Sequence, residues 1–427
     1  MKNIISILML FVFITNCNSQ SSGNLTEMEA SNASLANFDA TQTSQWRGVN
    51  RDGKYKDSGL LKKWNDAGPE LAWKYLGLGD GHAAVAVTNN FVYAAGTDAQ
   101  TQDGFIIAFD HSGNIIWKKI YAKEWLDSYE GVRSAPLIDG DKLFILSAKG
   151  ILVAMDSKTG NKLWSVDLIQ DFGARNTKWG MTENLVADGN KLFCTVGGED
   201  ANIVAFDKNT GKVIWKSAGK GEISAYNSPL IVEYGGQKVL ITMTQTFIIG
   251  LDVESGKILW DFSHPNKYSV HANTPLFKDG MLYCVSGYGK GGVMLKLATD
   301  AKSVTEVWRN DSLDNKMGGV VLHNGIIYGS GDFNKKWYAL DWNTGKQLFA
   351  SKMLKIGNII FADGMLYCYD EAGVVALVEP LADKYNLISS FKVPYGEKQH
   401  WAHSVIHNKR LYIRHGTALM VYDIAKK

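Results

Sequence analysis

Eight sites along the chain carry polar or aromatic side chains a few residues ahead of a tight-turn pair. They are His82, Arg133, Glu183 with Asn184, Tyr226 with Asn227, His271 with Asn273, Lys316, Asn358, and the cluster His400-Trp401-Ala402-His403. If the fold brings them together, this set of imidazoles, amides, charges and indoles suits a small-molecule, quinone or peptide site. The competing reading is that the same groups satisfy loop backbones and line a water-filled funnel. Other chemistry has weaker support. No His-Glu-x-x-His, Gly-x-Ser-x-Gly or phosphate-binding loop occurs. Gly287-Tyr288-Gly289-Lys290-Gly291-Gly292 lies between strand patterns with no helix after it, so it reads as a long hairpin loop. Cys194, Cys284 and Cys368 occupy the same position in three Leu-aromatic-Cys strands, which predicts separate buried thiols rather than a disulfide or metal site. His407 and His415 read as surface or strand-end residues.

A repeat must position these groups. Asp139-Gly140, Asp188-Gly189, Asp279-Gly280, Asn324-Gly325 and Asp363-Gly364 lie between apolar strand patterns; Gly235-Gly236, Asn89-Asn90 and Asn408-Lys409 take the same role. Such pairs suit the positive φ of two-residue hairpin turns. After each turn come an aromatic-bearing strand, an alternating strand, an Asp-to-Gly turn such as Asp207 to Gly211, and a fourth strand with a large ring. Those rings are Trp73, Trp117, Trp164, Trp215, Trp260, Trp308, Phe349 and Phe391, spaced by 41 to 51 residues. A period in the forties with four strands per unit predicts propeller blades. Trp73 has no strands ahead of it to complete a blade, and residues 404–424 supply three strands with no fourth. Joining them predicts an all-β fold: one eight-bladed β-propeller of four-stranded antiparallel blades, closed by the N- and C-terminal strands in one shared blade. Closure removes two sheet edges. In such a ring the eight polar sites surround one mouth of the central channel.

The first residues stand apart. Lys2 and the apolar run Ile4 to Ile14 form a signal-peptide pattern, too short to span a bilayer as a helix. Ile14-Thr15-Asn16-Cys17 looks like a bacterial lipobox, so residues 1–17 are expected to be a lipoprotein-type signal with Cys17 lipidated. Asn16 departs from the small residue usual there. Residues 18–44 are polar and read as a flexible tether, leaving 45–427 as the propeller. The chain is therefore expected in the cell envelope, on the membrane only through its lipid. A net charge of +2 without a long single-sign block points away from nucleic acid.

The units Ala205 to Trp215 and Ala154 to Trp164, of the form Ala-x-Asp-x-x-Thr-Gly-x-x-x-Trp, resemble the PQQ-repeat β-propeller superfamily. So does the opening Trp46-Arg47-Gly48-Val49-Asn50-Arg51-Asp52-Gly53, which is similar to a subgroup of bacterial envelope propellers. The resemblance implies one of two roles. One is a binding or scaffold module of the BamB type in outer-membrane assembly, engaging an envelope protein, glycan or small molecule. His82, Arg133, Trp179, Asn227, His271, Trp401 and His403 would then be the contacts at the funnel. The other is a PQQ- and calcium-dependent alcohol dehydrogenase, with Glu183 and Asn273 on the calcium, Asp314 as base and Trp179 stacking on the quinone. The adjacent-cysteine pair of those enzymes and a haem-attaching Cys-x-x-Cys-His are missing from this sequence. The scaffold reading is favoured; PQQ and calcium belong to the second role, which is the less favoured one.

Overall fold

A computed structural model describes residues 25–31, 35, 37–381 and 383–426, so the predicted signal and Cys17 lie outside the described residues. Eight antiparallel sheets follow one another along the chain. Blade 1 comprises Ala86–Val87, Val92–Thr97, Asp103–Phe109 and Ile115–Lys123. The innermost strands of blades 2 to 7 are Leu137–Asp139, Val186–Asp188, Leu230–Tyr234, Leu276–Lys278, Val321–His323 and Gly357–Ala362. Blade 8 joins Val405–His407, Arg410–His415 and Ala418–Asp423 to Glu70–Tyr75, whose Tyr75 lies opposite Leu419. The predicted eight blades and shared closing blade are both present.

Local chemistry explains each unit. In the hairpins at Asn324-Gly325 and Asp363-Gly364 both central residues have positive φ, the geometry that matches strand twist. In the second turn, one carboxylate oxygen of Asp207 accepts from the Thr210 amide and hydroxyl, both at 2.9 Å. Asp156 and Asp341 repeat the pattern with Thr159 and Thr344. The glycine ending that turn receives the tryptophan of the preceding blade. Trp164 of blade 2 lies on Gly211 of blade 3, and its indole N–H donates to the Lys208 carbonyl at 3.1 Å. Trp73 with Gly113, Trp215 with Gly256 and Trp308 with Gly345 do the same, each indole donating to a carbonyl in the next blade's turn. The Asp-x-x-Thr-Gly…Trp signature is thus an inter-blade clasp: the turn is held by Asp and Thr so that its bare glycine meets a ring. Apolar clusters between neighbouring sheets complete each joint. Arg414, buried in blade 8, donates to the carbonyls of Ala83 and Ala95 and so fastens the closing blade to blade 1.

The stretch expected to be a flexible tether over 18–44 is docked wherever it is described. Met28 forms a backbone bridge to Lys118 on the outer strand of blade 1, and Glu29 ion-pairs with the nearly buried Lys119. Phe38 packs 5.6 Å from Phe91, centroid to centroid. Polar composition concealed this, because a few apolar and acidic side chains suffice when the partner is a ready-made sheet edge. Thr43–Ser44 then adds an antiparallel strand to the inner edge of blade 2, and Lys54–Tyr55 a parallel one to blade 7. Between them the chain turns inside the channel. The first limb runs away from the hairpin-turn end and the second runs back toward it. The insert therefore enters and leaves by the same mouth.

The clasp makes a direct prediction. In Gly211→Ala the new Cβ stands 2.8 Å from the Trp164 ring at a φ of +71°, so strain and overpacking together should cost about 2–4 kcal/mol. Gly364→Ala, at φ +78° with open space around it, should cost only about 1 kcal/mol. Denaturation midpoints of the two variants test the difference.

Candidate functional site

The channel insert is built around two arginines. Arg47 and Arg51 are only 3% and 2% exposed. One Arg47 nitrogen donates to the Ile359 carbonyl at 3.0 Å and to His403 Nδ1 at 3.1 Å; the other reaches the Val320 carbonyl at 2.7 Å. His403 Nε2 donates to the Met317 carbonyl at 2.7 Å, which leaves Nδ1 free to accept from Arg47. Arg51 donates to the carbonyls of Asn184 at 2.6 Å and Leu185 at 2.9 Å in blade 3. Trp46 donates to Thr274 Oγ1 and its ring lies 4.4 Å from that of His403. One short loop thus ties blades 3, 5, 6, 7 and 8 together through the hole of the ring. The planar guanidinium fork serves several carbonyls at once, which a lysine could not. Burial lowers the arginine pKa values to about 10 for Arg47 and about 9 for Arg51, with Glu183 opposing the fall at Arg51. Both stay cationic at neutral pH.

The residues predicted for the opposite, strand-start mouth divide into three kinds. Some are blade-to-blade ties. Asn184 accepts from the Ala135 amide of blade 2 and donates to Ser228 of blade 4, each at 2.8 Å. Asn273 donates to the Asn315 carbonyl and Asn358 to the Ala402 carbonyl, each bond spanning neighbouring blades. Asn227 stays within blade 4, donating to Thr242 at 2.7 Å. His271 bonds Ser286 at 2.5 Å and the Gln245 carbonyl at 3.0 Å.

A second kind forms an aromatic rim. Trp401 lies 5.0 Å from His82 and 5.1 Å from Tyr129; Trp179 lies 6.0 Å from Tyr226 and 6.4 Å from Tyr268. Arg133 donates to the Trp179 carbonyl, and Tyr226 Oη accepts from the Trp179 amide at 3.0 Å. Lys316 ion-pairs with Asp332 at 3.0 Å.

The third kind comprises the carboxylates. Both oxygens of Glu183 accept from the Thr195 amide, at 3.0 and 3.1 Å, and burial raises its pKa to about 7. Asp314 accepts from the amides of Gly289 at 2.7 Å and Phe333 at 3.0 Å, and burial raises it too. Each carboxylate is turned into the loops beside its own blade, and the two blades are three apart in the ring. Glu183 lies on blade 3 beside Arg51 and Asn273 lies on blade 5, so the residues present do not fit a shared calcium under PQQ. His415, expected at the surface or a strand end, is the last residue of Arg410–His415, buried and stacked 3.6 Å from His400.

Open space lies elsewhere. Two cavities of about 570 and 540 Å³ sit on the hairpin-turn side of the insert, and none of the strand-start residues lines either one. The first is bounded by the insert and the inner strands of blades 3 to 5, with Leu322 of blade 6; the second by the insert and those of blades 1, 2 and 8, with Ala187 of blade 3. Sequence reasoning missed the insert and so missed these lobes. The available signal was Trp46 to Gly53: two arginines four apart among glycines, outside the blade register.

A family model described as outer membrane protein assembly factor BamB matches residues 54–200 and 199–302. The chain belongs to this BamB family. A BamB from Moranella endobia (strain PCIT) is 24% identical over 257 residues, which is 57% of this chain and 63% of that protein. The match thus spans less than two thirds of that relative's length. The crystal structure of BamB from Moraxella catarrhalis aligns with a TM-score of 0.61 at 17% identity, over 83% of this chain and 99% of that one. A europium-containing methanol dehydrogenase aligns at 0.59 and 13% identity, over 87% and 89%. At these identities the structural likenesses establish the propeller fold alone.

Two predictions arise from this site. Arg47→Ala strands the Ile359 and Val320 carbonyls and should cost about 3 kcal/mol, with faster proteolysis within residues 43–57; Arg47→Lys should recover only part. The second concerns pH. Burial first, then nearby cations or a second imidazole, lowers His82 to about 3, His264 to about 2 and His403 to about 3; burial lowers His271 to about 4. The unfolded chain therefore binds more protons below its ordinary histidine value of about 6.5, and stability falls as pH drops from there toward 4. Glu183, raised to about 7, acts in the opposite sense between about 4.5 and 7, as do Glu124, Asp314 and Asp370, whose carboxyls burial also raises; His400, lowered to about 4 by burial and His415, adds to the histidine side. The net loss should be on the order of a few kcal/mol per pH unit. Denaturant midpoints at pH 7.5 and 5 should show it, and His264→Phe should reduce the slope.

Proposed function

We propose that this protein is a non-catalytic scaffold of the bacterial cell envelope, working in outer-membrane protein assembly and held to the membrane by a lipid on Cys17. The observation that carries this reading is the BamB family match across most of blades 1 to 5. The channel supports it: a loop anchored by the buried Arg47 and Arg51 occupies the hole, and the carboxylates proposed for calcium and quinone chemistry are committed to backbone amides. Among the described residues no helix is long and apolar enough to cross a membrane; the lipobox-like Ile14-Thr15-Asn16-Cys17 is what supports attachment by a lipid. Its partners in this role are envelope proteins of the assembly process. A glycan or small molecule at the aromatic rim is a subordinate reading, resting on Trp401, Trp179 and their tyrosine neighbours.

The test is a deletion strain. Loss of the protein should reduce the abundance of outer-membrane β-barrel proteins, and the full chain should restore it. Cys17→Ala should be released from the membrane fraction and restore the barrels poorly. Normal barrel abundance in the deletion strain would overturn the role. So would dye reduction with alcohols by the purified protein supplied with PQQ and Ca²⁺.

A further inference from the structure

The two limbs of the channel insert show that the inner edges of this ring accept extended chain. Thr43–Ser44 pairs antiparallel with blade 2 and Lys54–Tyr55 parallel with blade 7. The innermost strands of blades 3, 4, 5 and 6 are built the same way, yet each is the last strand of its sheet on the channel side. An edge strand presents unpaired backbone donors and acceptors, and soluble proteins usually blunt or cover such edges. Here the wall of the ring shields them from neighbouring molecules, and only a single extended chain can reach them.

All four of these edges contribute to the wall of the 570 Å³ lobe, blade 6 through Leu322 alone, a size within the roughly 300–1,000 Å³ range of ligand sites. Leu230–Tyr234 is the longest of them, with five residues. Leu230 and Leu276 give the lobe apolar walls. Val49 at the tip of the insert is 68% exposed and also faces it. The rim charges largely cancel, since Lys238 pairs with Asp188 at 2.9 Å and with Glu233 at 3.4 Å. A polyanion or polycation has nothing to select it there. An apolar–polar alternating strand does, because its backbone matches the edge and every second side chain meets an apolar wall.

We propose that this lobe binds an extended peptide segment, of alternating apolar and polar residues, by strand addition to the inner edge of Leu230–Tyr234. The proposal deepens the scaffold reading by naming a surface and the kind of partner segment it takes.

The probe is a fluorescein-labelled synthetic peptide of alternating valine and threonine, titrated into the full-length protein. It should raise the fluorescence anisotropy and slow amide hydrogen exchange across Leu230–Tyr234. A version with proline at every second position, unable to donate to the edge, should not bind. Val49→Trp fills the lobe from the exposed side of the insert without entering the blade cores. It should weaken binding by about tenfold or more with an unchanged melting temperature. No binding, protection at the Trp401 rim instead of blade 4, or undiminished binding by a folded Val49→Trp protein would each overturn the proposal. Peptide binding with normal barrel abundance in the deletion strain would remove the role and keep the site; the reverse pattern would remove the site alone.

Discussion

The contact of a tryptophan face with a bare glycine in the next blade is the constraint from which the rest of this structure follows. Blades are wedge-shaped sheets and need a filler at their outer joints. An indole supplies apolar area and, at Trp73, Trp164, Trp215 and Trp308, an N–H that donates to a carbonyl of the next blade. The Asp–Thr turn provides both halves of the answer, a glycine with room for the ring and a carbonyl for the N–H. Where the fourth-strand ring is phenylalanine, in blades 6 and 7, other aromatics join it. Tyr385 meets Phe349 at 5.0 Å, and Trp64, from the segment after the insert, meets Phe391 at 5.7 Å. The joints thus tolerate substitution of the filler while keeping the angle between blades, and it is that angle that sets the ring size.

A ring of this size leaves a hole, and the inner strands that line it carry backbone groups with nowhere to go. Ordered water is the usual remedy. This chain also brings two arginines and a pair of short strands to them. The cost of desolvating Arg47 and Arg51 is offset by several carbonyl acceptors at once. The result is that one loop, without contributing to any blade's own sheet of four, reports on the spacing of five of them. The asparagine ties at the other mouth work in the same direction, so the ring is braced at both levels.

The eight-blade count, the shared closing blade and the separate buried thiols were legible in the sequence because each is a local pattern repeated many times. The turn pairs, the ring spacing and the orphan Trp73 strand all point to one arrangement. The channel was legible only in part. The residues at the strand starts do gather at one mouth, yet Asn184, Asn273 and Asn358 are ties, and Glu183 and Asp314 face loop amides. Residue type alone does not distinguish a side chain aimed at a ligand from one aimed at a neighbouring blade. The insert was illegible for a different reason: Trp46 to Gly53 occurs once, has no periodicity, and its partners lie more than a hundred residues away in sequence. The same holds for Met28, Glu29 and Phe38, whose docking depends on a sheet edge that composition does not reveal.

The segment that fills the hole lies immediately before the strand that shuts the ring, with Lys54–Tyr55 only fifteen residues from Glu70–Tyr75. Latch and stopper are therefore one continuous piece of chain. Unzipping blade 8 slackens the linker that holds the arginines in place, and withdrawing the arginines loosens the blades that the closing strand must bridge. The molecule is thereby pushed toward all-or-none opening despite its modular repeats. A pull on the N-terminal end would first strip Met28 and Glu29 from the outer strand of blade 1 and would then be carried straight to the centre of the disc.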